Sequence, residues 1–511
     1  MASLEASLDQ MSAFWNSYGS VWAVVALAAI LIPAGWFVYN IYFHPLAAYP
    51  GPLFYRGTNL GKISQQMRGN ITNKIWELHQ IYGPVVRIAP WELSYASAQA
   101  WKDIYTGSPT QKGGGKEPMP SNIIYGADEV EYFGAYSVMF QSEASEHNRH
   151  RRILSPAFSD KSLREQEPTI TKHVAMMMQR FRENAGTPID LVAWFNYMAF
   201  DIIGDLVFGE PFGCLEESKM HPWIHFIFAN LRMMYGQIIS TMGTFGAALK
   251  TLIPAHLKAQ VHQHAAFART RLSHRLSRDP SRPDFMTHIV PHVGRPGGLT
   301  PQEALANAQI LIMAGSETSA TLLANTSFFV MTNPSAYARL KSEIRTAFTS
   351  EDEINFSNIS KLRYTLAVLH ESMRMHPPVP AGIHRFAPQG GAVIDGGWVA
   401  GGTDVVVHQW AAYRSECNFK DADRFIPERW LGEDARYAGD NRDVFNPFSI
   451  GPRACIGRGL AYMEMRLAVA RLVWSFDMEL MPGCEKWTDQ KTWVLYEKLP
   501  LMAKLTQVVR E

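Results

Sequence analysis

The sequence contains only four cysteines in 511 residues, and no two of them form a Cys-x-x-Cys pair. Their wide spacing, at Cys214, Cys417, Cys455 and Cys484, argues against a disulfide scaffold and against a zinc knuckle. The sequence also lacks an excess of either charge, because 48 Lys and Arg residues balance 47 Asp and Glu residues. We therefore expect no nucleic-acid partner, since such a partner requires a positive field.

Nucleotide-binding patterns are absent as well. No Gly-x-Gly-x-x-Gly follows a predicted strand, and the glycines of residues 113–116 lack the rest of a phosphate-binding loop. Nicotinamide and flavin are therefore expected on another protein. From residue 74 onward there is no long Ser, Gly or Pro tract and no internal repeat, which predicts a single compact unit. The apolar content of 47% excludes a disordered chain.

Residues 11–55 contain no Asp, Glu, Lys or Arg. Within them, residues 21–43 are apolar and long enough to cross a bilayer as a helix. A cleaved signal peptide is the alternative, but it would begin with basic residues, and only Glu5 and Asp9 precede the apolar run. We predict a short lumenal N-terminus over 1–20, a single transmembrane helix over 21–43, a proline-rich elbow over 44–55 and one catalytic domain over 56–511.

The first basic residues, Arg56, Lys62 and Arg68, all follow the predicted span. The positive-inside rule therefore places the catalytic domain in the cytoplasm. The prolines of the elbow restrict the backbone and indicate a stiff connection, although an ordinary proline-rich linker has the same composition.

The catalytic part is predicted to be mainly helical with small sheets. Extended segments are predicted at 84–90 and 91–95, where β-branched and aromatic residues flank a turn. A loop is expected at 112–120, which is rich in Gly, Pro and charge. Helical spacing of apolar residues predicts helices over 162–184, 190–208, 255–276 and 301–332.

The helix predicted at 301–332 is apolar on nearly every side, so it should be buried. Its few polar residues include the sequence Ala-Gly-Ser-Glu-Thr at 314–318. Gly315 destabilises a helix interior by about 1 kcal/mol relative to Ala, which suggests close approach of a flat ligand beside the proton-handling groups Glu317 and Thr318. A packing glycine next to a capping acid explains the same residues equally well.

A second group of polar residues follows at 370–374. Glu371 and Arg374 are one turn apart on a predicted helix and can form an ion pair. The pair is either a solvated salt bridge or a buried one, and a buried pair requires a third partner, for which Arg429 is the candidate. The residues His370-Glu371 begin the zinc peptidase motif His-Glu-x-x-His. This motif is excluded because its fifth position is Arg374, which does not ligate zinc.

The most specific segment is 448–457, in which Phe448, Gly451, Arg453, Cys455 and Gly457 precede a predicted helix. A helix N-terminus offers free N–H groups, and these favour the ionised form of a thiol and lower its pKa. The segment therefore predicts that the cysteine is a thiolate that binds a soft metal.

These segments together resemble the cytochrome P-450 family, and the similarity extends from the elbow to the C-terminus. The resemblance implies the fold of that family, preceded here by the membrane helix, and a heme b whose iron has a thiolate ligand. Residues 314–318 resemble the family's oxygen-activating helix, and 448–457 its heme-binding loop. Glu371, Arg374 and Arg429 resemble a structural ion-pair cluster of the family.

The resemblance also implies individual roles. Cys455 is expected to be the axial iron ligand, which promotes O–O cleavage. Thr318 and Glu317 are expected to hold water and relay protons, as catalytic residues. The remaining cofactor-binding residues that we expect are Gly315 and Phe448 beside the heme, and Arg453 and Arg385 on its propionates through charge-assisted hydrogen bonds.

The segment 147–152 departs from the family pattern Trp-x-x-x-Arg, because His147 replaces the Trp. We still expect propionate contacts from His147 and Arg151. Arg149 and Arg152 are expected to face away from the heme. They either form a solvated basic face or dock an acidic surface of a reductase.

The implied reaction inserts one atom of O2 into a lipophilic substrate. NADPH electrons are expected to arrive through a cytochrome P-450 reductase, with cytochrome b5 as a possible further partner, at the endoplasmic reticulum membrane. The segments near 119–140, 226–245, 380–383 and 494–496 are expected to select the substrate, a terpenoid, polyketide or alkaloid of fungal secondary metabolism. Two alternatives are a heme-thiolate oxidase that couples, desaturates or rearranges its substrate and a membrane-anchored binding protein without heme.

Overall fold

The computed structural model describes residues 2–106, 127–223, 255–278 and 282–509. The predicted loop at 112–120 and the predicted substrate segment at 226–245 lie outside these residues. The helices within them are α1 (Ala2–Tyr42), α2 (Leu53–Gly57), α3 (Leu60–Met67), α4 (Ile71–Tyr82), α5 (Ala98–Tyr105), α6 (Ala127–Phe133), α7 (Ala144–Leu154), α8 (Asp160–Glu165), α9 (Glu167–Glu183), α10 (Leu191–Phe208), α11 (Cys214–Glu217), α12 (Ala255–Leu276), α13 (Phe285–Ile289), α14 (Pro301–Thr332), α15 (Pro334–Ala347), α16 (Phe356–Ile359), α17 (Arg363–Met375), α18 (Gln409–Tyr413) and α19 (Arg458–Ser475).

The strands form two small sheets and a hairpin. They are β1 (Val85–Ala89), β2 (Glu92–Tyr95), β3 (Pro188–Asp190), β4 (Arg385–Phe386), β5 (Ala392–Ile394), β6 (Gly397–Val399), β7 (Asp404–Val407), β8 (Phe476–Leu480) and β9 (Met502–Gln507). One sheet has the order β1-β2-β7-β4 and another the order β3-β9-β8, while β5 and β6 pair alone. The two predicted extended segments are strands β1 and β2, which pair antiparallel with Val85 opposite Tyr95. The fold class is therefore mainly α with small sheets, as predicted.

The core is built around α10 and α14. Helix α10 is apolar enough to span a membrane, but 89% of it is buried in the protein, which makes it a core helix. Helix α14 is also buried on most sides and begins with a capping box between Thr300 and Glu303. The predicted helix 162–184 is instead two helices, because Pro168 at the start of α9 lacks the N–H that would continue α8.

The N-terminal helix is connected tightly to the catalytic domain. Its segment Val21–Tyr42 is a candidate membrane span, since an 18-residue window in it has a mean hydropathy of 2.3 and no buried residue, whereas Asn40 and Ile41 near its end are buried against the domain. The elbow after it is packed, since His44 and Leu46 are buried. Arg87 of β1 donates from Nη1 to the carbonyl oxygens of Asn40 (2.8 Å) and Leu46 (3.3 Å).

Arg56 makes a similar contact from α2. Its Nη2 donates to the carbonyl oxygens of Ile41 (3.1 Å) and Ala47 (2.8 Å). Carbonyl groups at a helix C-terminus have no partner within the helix, and cations there are favourable. Two arginines therefore hold the end of α1 against the first sheet, so the elbow is a fixed joint in this structure.

We expect Arg87→Met to loosen this joint. The side chain is fully buried, and its loss leaves the carbonyl oxygen of Asn40 without that donor, at a cost of about 1–3 kcal/mol, whereas the carbonyl of Leu46 keeps the N–H of Tyr49. The measurement is thermal unfolding of the detergent-solubilised full chain, with the exposed Arg68→Met as the matched control. Equal unfolding midpoints for the two variants would contradict the account.

Candidate active site

The segment 448–457 forms a tight loop that presents Cys455 at the start of α19. The backbone N–H of Cys455 donates to the carbonyl oxygen of Phe448 (2.8 Å), and that of Ala454 donates to Gly451 (3.0 Å). Gly451 has a φ of 79°, and a Cβ there would lie 2.2 Å from the carbonyl oxygen of Tyr105. The loop therefore requires glycine at this position, both for its backbone conformation and for its close approach to α5.

The thiol of Cys455 does not have the lowered pKa that the sequence predicted. Solvent reaches one side of the residue, yet protein atoms crowd the sulfur, and this burial raises the pKa above its ordinary value. The backbone N–H of Gly457 and the charges of Arg151 and Arg458 oppose the rise without reversing it. Desolvation of the sulfur outweighs the effect of the helix N-terminus here.

Four basic side chains lie in or beside this loop: Arg453 is part of it, and His147, Arg151 and Arg385 come from α7 and β4. Arg151 of α7 donates to the carbonyl oxygen of Ala454 (2.5 Å). Arg453 donates to the carbonyl oxygens of Gln141 (2.5 Å) and Ser142 (3.0 Å). These carbonyls accept hydrogen bonds but do not cancel the positive charge.

The pKa values show that the four groups form one cluster. Burial and the charge of Arg453, with smaller effects of Arg151 and Arg385, lower the pKa of His147 to about 4. Burial and Arg385 likewise lower the pKa of Arg453 to about 10. The positive charges of Arg151, Arg385 and Arg453 all act on His147, and a group of arginines placed in this way is suited to an anionic ligand with more than one carboxylate.

Burial of α14 is interrupted near its middle as well as at its ends. Ala314 is exposed and Gly315 and Thr318 are half-buried, although the helix around them is buried. The hydroxyl of Thr318 donates to the carbonyl oxygen of Ala314 (2.6 Å). A Cβ on Gly315 would lie 2.9 Å from Ile203 Cδ1, so this glycine permits close packing of α14 on α10. That geometry favours the packing alternative for Gly315.

The predicted ion-pair cluster is fully buried. Glu371 accepts two hydrogen bonds from Arg374 (2.8 and 2.9 Å) and one from Arg429 Nε (3.1 Å). Trp430 Nε1 (2.9 Å) and the backbone N–H of Ile426 (2.9 Å) also donate to it. Burial alone would raise the pKa of Glu371, but the two arginines hold it below its ordinary value.

Asp440 completes this cluster and was not predicted. Its carboxylate accepts a hydrogen bond from Arg429 Nη1, and both side chains are buried. Two arginines and one glutamate would leave a buried positive charge, whereas the addition of Asp440 balances it. A net buried charge is costly, which explains why the fourth residue is present.

A comparison with protein families matches residues 48–506 to the family described as Cytochrome P450. The chain belongs to the cytochrome P-450 family. It is 40% identical over 469 residues to Cytochrome P450 monooxygenase astA of Talaromyces wortmannii, with 92% of this chain and 93% of the relative aligned. It is 39% identical over 516 residues to Cytochrome P450 monooxygenase atr2 of Stereocaulon alpinum (99% and 100% aligned), and 39% identical over 502 residues to Averantin hydroxylase of Aspergillus parasiticus (96% and 98% aligned).

The predicted family, fold class and enzyme class are thereby confirmed. The protein is an oxidoreductase, a heme-thiolate monooxygenase that uses O2, a redox partner and a small-molecule substrate. The residues described above fit heme b, because Cys455 offers a soft ligand to iron and the basic cluster offers partners to two propionates. An iron ion would favour the ionised form of the Cys455 thiol, and carboxylates would pair with the positive charge of the arginines.

Lys498 is a residue of this P-450 that the sequence did not indicate. Its Nζ lies 2.9 Å from Glu317 Oε1 and 3.3 Å from Asn196 Oδ1, and both charged side chains are 4% exposed. Burial raises the pKa of Glu317, and Lys498 opposes that rise. The acid of α14 thus faces a cation of the C-terminal segment, whereas Thr318 bonds to its own helix.

Glu464 is a second buried acid beside α14. It lies on α19 and accepts a hydrogen bond from Ser319 Oγ (3.3 Å), the residue after Thr318. Burial raises the pKa of Glu464 to about 8, because no cation comparable to Lys498 contributes to its environment. The carboxyl group of Glu464 therefore joins α14 to α19, the helix that follows the cysteine loop.

One expectation about α7 requires correction. Arg149 does not belong to a solvated basic face, because its Nη2 pairs with Glu303 (2.6 Å) and Glu146 (2.5 Å). These contacts occupy its charge, so it is not available for a reductase, while Arg152 is exposed. Tyr496 of the predicted substrate turn is buried and stacks on His376, with ring centroids 3.9 Å apart.

We expect Lys498→Met to destabilise the protein by several kcal/mol, because it leaves Glu317 buried without its cation. Glu317→Gln in the same chain should restore most of the loss. The measurement is the thermal unfolding midpoint of the wild-type protein, the two single variants and the double variant, with the exposed Lys491→Met as control. Additive effects of the two substitutions would show that the pair contributes nothing.

Glu464 predicts a dependence of stability on pH. Its pKa is about 8 when folded and 4.5 when unfolded, so between these values only the unfolded chain releases the proton. Stability should therefore fall as pH rises through this window, by about 1 kcal/mol per unit, and Glu464→Gln should lack this part of the fall. Unfolding midpoints across that range, with the exposed Glu479→Gln as control, check this. Parallel curves for wild type and Glu464→Gln would contradict it.

Proposed function

We propose that this cytochrome P-450 hydroxylates a bulky lipophilic secondary metabolite of a fungus, a terpenoid, polyketide or alkaloid. The observation that carries the proposal is the joint placement of Cys455 and the basic side chains of His147, Arg151, Arg385 and Arg453 in and beside one loop. Two relatives named Averantin hydroxylase, 39% and 40% identical, support hydroxylation as the outcome. Among the described members of the predicted substrate segments, the apolar residues Val138, Ile383, Val494 and Leu495 are partly accessible.

The site residues have distinct tasks in this proposal. Heme b, when bound, supplies the activation of O2 and the oxidation of the substrate. Cys455 holds the iron, and His147, Arg151, Arg385 and Arg453 hold the propionates. Phe448 supports the loop, since its carbonyl oxygen accepts the N–H of Cys455.

The proton-handling residues of this proposal, Glu317 and Thr318, lie on α14. The hydroxyl of Thr318 can exchange its bond to Ala314 for a water molecule, because the residue is half-buried rather than sealed. Glu317 is held by Lys498 and can pass a proton when that ion pair opens. General acid catalysis of this kind contributes about 100-fold or more to a rate.

The proposal places the protein in the endoplasmic reticulum membrane. The span Val21–Tyr42 precedes the first basic residues, and Arg56 lies at the joint itself, which favours a cytoplasmic catalytic domain. Electrons would come from NADPH-cytochrome P-450 reductase, with cytochrome b5 as a second possible donor. The exposed Arg152 remains a candidate contact for an acidic partner surface.

The test is turnover of lipophilic fungal metabolites by microsomes that contain the full chain, the reductase and isotopically labelled O2. We expect one labelled oxygen atom in the product. A product that is coupled or desaturated and carries no label would favour the oxidase alternative and overturn the hydroxylation proposal.

Thr318→Ala tests the proton relay. We expect the variant to retain heme and to consume NADPH while the yield of product per NADPH falls about tenfold or more and peroxide rises. Thr332→Ala is the matched control, because its hydroxyl makes the same type of bond, to Phe328 four residues earlier, at the far end of α14. Unchanged coupling in Thr318→Ala would assign proton delivery to other groups.

A further inference from the structure

Asn307 joins α14 to two segments that are distant from it along the chain. It lies near the start of α14 and is 1% exposed. Its side chain contacts the segment that follows α6, the backbone of its own helix and a histidine of α7. The monooxygenase assignment uses none of these contacts.

The hydrogen bonds fix the orientation of the Asn307 amide. Its Oδ1 accepts the backbone N–H of Val138 (2.9 Å), which can only donate. Its Nδ2 donates to the carbonyl oxygen of Glu303 (2.7 Å), which can only accept. A rotation of the amide by half a turn would break both bonds, so the group has one arrangement.

The same amide orients His150 on α7. Nδ2 of Asn307 lies 3.2 Å from His150 Nδ1, and because Nδ2 is a donor, this ring nitrogen accepts. The other ring nitrogen, Nε2, lies 3.2 Å from Glu303 Oε1 and can donate to it. His150 is fully buried and lies on α7, the helix that also carries His147 and Arg151 of the basic cluster, so the contact with Asn307 holds this helix against α14.

A second path leads from Asn307 to the basic cluster through the main chain. The carbonyl oxygen of Ser137 accepts the N–H groups of Phe140 (3.2 Å) and Gln141 (3.1 Å), which makes 137–141 a compact turn. Glu129 holds the start of this turn by accepting the N–H of Ser137 (2.7 Å). At its end, the carbonyl oxygen of Gln141 accepts Nη1 of Arg453.

We propose that Asn307 is a positioning residue that fixes the turn 137–141 and α7 against α14 and thereby sets the shape of the substrate side of the site. It touches neither heme nor substrate in this proposal and acts through Val138 and His150. The inference rests on the proposed function only where it assigns 137–141 to the substrate side. The bracing of the turn is independent of that assignment.

The first test is amide hydrogen exchange of the full chain, read on peptides that cover 134–142. Asn307→Ala should accelerate their exchange about tenfold, because the turn loses its bond to α14. Asn325→Ala is the matched control. Asn325 lies on the same helix, is fully buried and donates to the carbonyl oxygen of His376 (2.8 Å), far from the turn. Unchanged exchange of 134–142, or an equal rise in both variants, would overturn the proposal.

Val138→Pro tests the same bond from the other side. Val138 is the second residue of the turn, a position that favours proline, so the substitution removes the N–H and keeps the turn. We expect amide exchange of 139–142 to accelerate as in Asn307→Ala. In the double variant, exchange of these residues should be no faster than in either single variant. Additive effects would show that the two residues act separately and would count against the proposal.

The second test is spectral titration of the heme-loaded protein with two probes, imidazole and a bulky lipophilic azole. Asn307→Ala should weaken the bulky azole about five- to tenfold and leave imidazole within about twofold, since only the larger probe reaches the turn. Equal effects on both probes would overturn the role in substrate shape. A wild-type protein without any imidazole response would count against the heme function, and the exchange experiment would still decide the role of Asn307.

Discussion

The buried charges around Glu371 are the constraint on which the position of the cysteine loop depends. Four side chains, Glu371, Arg374, Arg429 and Asp440, lie out of contact with water and carry balanced charge. The loss of one member would leave a buried charge uncompensated, at a cost of about 3–5 kcal/mol. The cluster also fixes the chain between Ala422 and Asp440, because Arg374 donates to the carbonyl oxygens of Ala422 (2.7 Å) and Arg424 (2.9 Å).

From this cluster an aromatic series leads to the loop. Trp430, which donates to Glu371, packs on Phe445 with ring centroids 4.6 Å apart. The ring centroids of His370 and Phe445 lie 5.6 Å apart. His370 Nε2 forms a hydrogen bond with the hydroxyl of Tyr462 on α19 (3.0 Å). Tyr462 in turn lies 5.1 Å from Phe448, whose carbonyl oxygen holds Cys455. The buried charges therefore determine where the sulfur lies, and the basic cluster and α14 then complete the site.

Local patterns predicted the elements that depend on local physics. The apolar run of α1, the buried character of α14, the pairing of β1 with β2 and the segment around Cys455 all follow from neighbouring residues. The break between α8 and α9 was missed although Pro168 is visible in the sequence. The helical periodicity of the apolar residues continues across Pro168, so that pattern alone does not reveal the break.

Arg429 was predicted as the partner of Glu371 and Arg374, but most other long-range contacts of buried polar groups could not be predicted from local patterns. Lys498, Asp440 and Asn307 act on residues that are far away along the chain, and no spacing rule relates them. The pKa of Cys455 was expected to fall because the sequence shows the helix N-terminus but not the atoms that desolvate the sulfur. Arg149 was misread for the same reason, since Glu303 reaches it only after α7 and α14 pack.

The central claim is that Cys455 ligates the iron of a heme as a thiolate, and the reduced, carbon monoxide-bound difference spectrum of the full chain tests it most directly. The account predicts the strongly red-shifted Soret band of a thiolate-ligated heme in the wild-type protein and its loss in Cys455→Ala. A folded wild-type protein that is supplied with heme and shows no such band, or a Cys455→Ala variant that keeps it, would contradict the account.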